Sequence, residues 1–172
     1  GTDLAVLETG DESIYRYDQM GTHSYENSSM QTGTNSTSYY FSVASGDITN
    51  FFNEVDLNTP WDYHYENLDS RTILDRLAAV KYFVVKAGEE EYLPYGYDTL
   101  AAEAEKKDRL YRAYECKNAL PIGYTYDSYI PEKKYAKMST VEKQQALLQG
   151  VVLADSAVPE TTPEFNDREV SY

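Results

Sequence analysis

The period of apolar and polar positions changes several times along the chain, and each change predicts an element. IYRYD (14–18) alternates and predicts a strand. YYFSV (39–43) is built from strand-forming residues and predicts another. The period then lengthens. Ile48, Phe51, Phe52 and Val55 fall at i, i+3, i+4 and i+7, one helical face over about 46–56 with Ser45 or Asp47 as cap. RTILDRLAAV predicts a second helix over 71–79, capped by Asp69 or Ser70, with Ile73, Leu74, Leu77 and Ala78 on one face. VKYFVV (80–85) is almost continuously apolar, the pattern of a central strand covered on both faces.

LAAEAEKKDR (100–109) reads as a short exposed helix, and LYRAYEC (110–116) as a strand. IGYTYD (122–127) reads as a further strand, which would place Ile122, Tyr124 and Tyr126 on one mostly buried face. Pro121 would sit at its start, where no ladder bond is needed, and Gly123 would let another backbone approach. A short helix or turn begins at Pro131. Ser139 and Glu142 have capping-box spacing and open a helix over about 139–149, which Gly150 ends. The expectation is an α/β (α+β) domain over 1–153, a mixed sheet of about five strands with about three packed helices. GTHSYENSSMQTGTNSTS (21–38) forms a long Ser/Thr/Asn-rich loop near the N-terminus. Residues 154–172 carry Pro159 and Pro163 among acids and read as an acidic tail or linker.

Composition narrows the function. The net charge is −14, from 15 Lys and Arg against 29 Asp and Glu, so there is no basic stripe for a phosphate backbone and nucleic acid is excluded as a partner. No run approaches the ~18 apolar residues of a membrane span. Cys116 is the only cysteine, which rules out an internal disulfide and a Cys-rich zinc site and suggests a small buried side chain. A start at Gly1 without a signal-peptide pattern reads as a domain within a longer chain.

Catalytic patterns are lacking. His23 and His64 share no ligand spacing, and GxSxG, GxGxxG and GxxxxGK[ST] do not occur. The expectation is no catalytic residue, no metal ligand set and no cofactor. Eighteen tyrosines stand out against five phenylalanines and one tryptophan. Tyrosine suits strand faces and sugar stacking equally, because its ring is apolar and its tip polar. The candidate substrate-binding residues are Trp61, Tyr63 and Tyr65, which alternate just before Arg71, with Tyr95 and Tyr97 around Gly96. The competing reading is that these rings cover an edge of the core.

The ordered series ESIYRYD, STSYYFS, DITNFFNEVDL, RTILDRLAAVKYFVV, LPYGY, NALPIGYTYD and STVEKQQALLQGVVL resembles the extracytoplasmic part of the bacterial YfhO-family membrane proteins, over about residues 12–153. The resemblance implies a parent with many membrane spans, similar to glycosyltransferases that use polyprenyl-phosphate sugars. It also implies a place on the extracellular face of the cell membrane and a link to glycosylation of cell-wall polymers such as lipoteichoic acid. The implied partners are the membrane-spanning part of the same chain and a cell-wall glycan or lipid-linked sugar. The family's catalytic acid lies in a loop outside this sequence, so no residue here inherits a catalytic role. A structural domain that braces the membrane part is the alternative.

Overall fold

VKYFVVK forms β5 (Val80–Lys86), and its unbroken apolar run puts it at the centre of the main sheet. The computed structural model describes residues 8–19, 27, 29–30, 33–57, 63–158 and 161–165. β1 (Arg16–Gln19) runs parallel to β5 on one side and to β2 (Asn35–Ser36) on the other. Beyond β5 the sheet is antiparallel: β6 (Thr99–Lys106) and β7 (Arg109–Glu115) form a hairpin, and the order is β2-β1-β5-β7-β6. The fold is therefore α/β with a mixed five-stranded sheet.

A parallel β1–β5 pair needs a long crossover. Here the crossover carries β3 (Tyr39–Tyr40), α1 (Gly46–Glu54), β4 (His64–Tyr65) and α2 (Thr72–Leu77). The first packed core joins the crossover to one face of β5: Phe52, Val55, Tyr65, Leu68 and Leu74 meet Val80, Phe83, Val85, Tyr97 and the buried Cys116. The opposite face is closed by rings. Tyr17, Tyr82 and Tyr111 pack with Val84 and Ala113, and Tyr15 meets Tyr82 edge to face at 4.8 Å. Four of the eighteen tyrosines, Tyr15, Tyr17, Tyr82 and Tyr111, thus cover one sheet face.

A third core lies towards the C-terminus. β8 (Tyr129–Pro131) pairs in parallel with β9 (Val151–Leu153), and α3 (Glu132–Tyr135) and α4 (Thr140–Leu147) complete it. Within the 154–172 segment, Phe165 is buried against Ile130, Tyr135 and Ala146, and its N–H donates to the Tyr129 carbonyl at 2.7 Å. Ser139 and Glu142 make the capping box that their spacing predicts. Gly150 follows α4, and a Cβ there would sit 3.1 Å from Ile130 Cγ1.

Four local readings are corrected. Residues 100–109 are strand and turn, not helix. Ala, Glu and Lys favour helices, but pairing with β7 and the left-handed turn at Lys107 and Asp108 (φ 49° and 60°) override that preference. The strand expected over 39–43 shrinks to Tyr39–Tyr40 and pairs with β4 in a separate ribbon. Residues 122–127 form no strand: their tyrosine hydroxyls donate to the Leu77 and Leu147 carbonyls, which holds the segment across helix ends instead of in a ladder. Gly123 accordingly has open space around it, and no backbone approaches. Finally, Arg71 occupies the N-cap position of α2 without a side-chain cap bond, and Asp69 and Ser70 before it take left-handed conformations (φ 54° and 53°).

Candidate functional site

The aromatic loops place their rings alternately in and out. Tyr65 is buried, stacked on Tyr39 at 4.6 Å and edge-on to Phe52 at 4.7 Å, with its hydroxyl 2.9 Å from Thr49 Oγ1. Tyr63 is exposed. Tyr97 is buried against Phe83 and donates to the Val80 carbonyl at 2.7 Å, and burial pushes its pKa upward. Tyr95 stands out in solvent at 91% exposure. Arg71 clips the end of α1, donating to the Val55 and Asp56 carbonyls at 2.5 and 2.7 Å. Its neighbour Thr72 donates to the Tyr95 carbonyl at 2.8 Å, which ties the backbone of the 93–98 loop to the start of α2. Trp61 lies outside the described residues. Among the described rings of this set, Tyr63 and Tyr95 are therefore the ones exposed to solvent.

A concave site lies elsewhere. A cleft of about 730 Å³ opens between the β3–α1 segment, α2 and the 124–126 segment. Phe41, Val43 and Ile48 line one wall and remain substantially exposed. Leu74 and Leu77 of α2 and Ala78 just after it form its floor, and Tyr124 and Tyr126 stand opposite, edge to face at 5.4 Å. Arg16 is the basic residue among those lining it, with its guanidinium donating to the Ala78 carbonyl at 2.6 Å. Thr37 and Asp47 add polar groups. Apolar walls with few convergent polar groups are the usual character of a small-molecule site. Sequence reasoning passed over Phe41 and Val43. The available signal was two apolar residues in a Ser/Gly-rich connection whose partners arrive from 80 residues further on.

Beneath this cleft lie two buried carboxylates. Asp18 pairs with Phe83 across β1 and β5, so it points to the helix-covered face. Asp75, on α2 next to the core residue Leu74, is buried on that side. The Thr37 hydroxyl donates to Asp18 Oδ2, and the Gln19 N–H donates to Oδ1 at 2.8 Å. Neither oxygen of Asp75 has a partner among the described residues, and the buried Ser38 hydroxyl lies close enough to Asp18 to favour its charged form but makes no well-formed hydrogen bond. Burial pushes both carboxyls well above the usual carboxylate range, and for Asp75 the charge of Asp18 adds to it. No cluster of three or more His, Cys, Asp or Glu side chains able to share a metal occurs among the described residues.

These features define an α/β module with an open apolar cleft, and no helix among the described residues is long and apolar enough to cross a membrane. The family model described as "Bacterial membrane protein YfhO" matches residues 3–172, and the chain belongs to that family. It is 28% identical over 158 residues to "Uncharacterized protein YfhO" of Bacillus subtilis (strain 168), a match that covers 90% of this chain and 18% of the relative. The chain thus spans under a fifth of that relative's length. No solved structure matches it.

Proposed function

We propose that this domain is the substrate-engaging accessory module of a polytopic membrane protein that glycosylates a cell-wall polymer of the teichoic acid type. It works at the extracellular face of the membrane. The observation that carries the reading is the cleft. Phe41, Val43, Ile48 and Leu77 offer a hydrocarbon-binding surface, and Arg16 supplies a positive charge beside it. That combination suits a lipid-linked sugar, whose chain is apolar and whose linkage is a phosphate. Tyr63 and Tyr95 are the exposed rings for stacking on sugar C–H faces. At a net charge of −14, the domain favours a ligand with a short anionic linkage over a polyanionic chain. Catalysis belongs to the membrane part, and this domain would hold and orient the donor or acceptor.

The test is titration of the domain with a short-chain polyprenyl-phosphate sugar, followed by NMR. The expected result is saturable shifts at Tyr124 and Tyr126, lost in Phe41→Ser/Val43→Ser. Absence of shifts at millimolar ligand would overturn the binding reading. The exposed apolar wall also suits the second reading, a brace against the membrane part. In the full-length protein, the double variant with normal protein level and lost glycosylation supports ligand engagement, whereas loss of protein level supports bracing.

A further inference from the structure

The buried polar group under the cleft is short of a partner. Asp18 and Asp75 are both fully buried and carry two negative charges between them when ionised. No described lysine or arginine makes an ion pair with either. Buried charges in proteins are paired, are neutralised, or coordinate a metal. A proton removes the charge but not the deficit. A protonated Asp75 would still hold an unpaired O–H donor and an unpaired carbonyl acceptor, because neither of its oxygens meets a partner. The Ser38 hydroxyl, only 1% exposed, faces the Asp18 carboxylate without a well-formed hydrogen bond. It adjoins Thr37, whose hydroxyl already donates to Asp18. What is missing is one species that brings positive charge and accepts oxygen lone pairs.

We propose that Asp18, Asp75 and Ser38 form a buried site for a hard divalent cation of the calcium or magnesium class. The donor set is oxygen only, which suits these ions and not zinc or copper. Two carboxylates balance a double positive charge. The three residues come from β1, the β2–β3 connection and α2, elements that also supply Arg16, Thr37 and Leu74 to the cleft. A bound cation would tie those elements together and fix the shape of the cleft from below. The assignment is independent of the ligand reading of the cleft.

The test uses the domain after chelator treatment, titrated with calcium chloride and with magnesium chloride. Calorimetry should show one saturable site per chain for at least one of the two ions. The thermal midpoint should rise by about 5–10 °C at a hundredfold excess over the dissociation constant. Asp75→Asn keeps the side-chain size and removes an uncompensated charge. It should melt no lower than the chelated parent and lose both the saturable heat and the midpoint shift. Ser38→Ala, a second variant with little risk to folding, should weaken binding about tenfold. Two results would each overturn the proposal. One is no saturable binding up to about 10 mM, tenfold beyond the weakest extracellular calcium modules. The other is unchanged binding in Asp75→Asn and Ser38→Ala, which would assign the ion to surface acids.

Discussion

Asp11 shows how one side chain can pin a segment. Its carboxylate accepts from Lys81 Nζ at 2.5 Å, from the Tyr82 hydroxyl at 2.9 Å and from the Ser13 N–H at 2.9 Å. It thereby fastens the stretch before β1 onto the tyrosine-covered face of β5. The Lys81 bond, followed by the Ser13 contacts, holds the Asp11 carboxyl well below the usual carboxylate range. A depressed folded-state pKa gives stability that is present above the unfolded value, about 4, and is lost as pH falls through the folded value. Asp11→Asn should therefore cost about 1–2 kcal/mol at pH 7 in chemical denaturation. The gap between the two proteins should close steadily below about pH 4. Trp61, Tyr63, Tyr65, Tyr95 and Tyr97 teach the complementary point. The sequence offered these rings either as a binding set or as cover for an edge of the core, and it could not say which ring took which role. Tyr65 and Tyr97 went to the core because Tyr39, Phe52 and Phe83 were there to meet them.

At the level of elements, the hairpin of β6 and β7 is where local preference and tertiary pairing disagree most. Its turn places Lys107 and Asp108 in the left-handed region, a conformation that Asn-Gly adopts with far less strain. The double substitution Lys107→Asn/Asp108→Gly should raise stability by about 1 kcal/mol, read as a shift in denaturation midpoint at unchanged slope. The opposite case is α4. There the capping box was legible in four residues, because Ser139 and Glu142 satisfy each other's backbone donors whatever the rest of the chain does. Ser139→Ala should cost about 1 kcal/mol by the same assay. α1 and α2 were equally readable from apolar spacing, since most of each stripe that predicts the helix, Phe51, Phe52 and Val55 at α1 and Leu74, Leu77 and Ala78 at α2, packs into the core.

Across the whole molecule, the described residues bury three separate apolar clusters, two on the faces of the main sheet and one around Ile130. The third draws on Tyr135, Ala146 and Phe165, and Phe165 also meets Lys134 Nζ at 5.6 Å from its ring centre. Small clusters joined to a larger sheet open first. Phe165→Ala should cost about 3 kcal/mol. Hydrogen exchange should show the amides of β8, α4 and β9 accelerating while those of β5 stay protected. A uniform acceleration would mean that the clusters open as one unit. The cleft also belongs to this scale, since its walls come from residues 41–48, 74–78 and 124–126, and no local segment contains it.

The sequence by itself determined the fold class, the central place of β5, the positions of α1, α2 and α4, the burial of Cys116 and the family. Each follows from a short-range period, a cap, a lone residue or an ordered series of motifs. Tertiary structure decided the rest. It made residues 99–106 a strand because β7 lay alongside, and it drew 122–127 out of the sheet because two hydroxyls found helix carbonyls. It also buried Asp18 and Asp75 on one covered face, although 57 positions separate them. Those outcomes depend on which surfaces meet after the crossover folds, and a linear pattern does not contain that information.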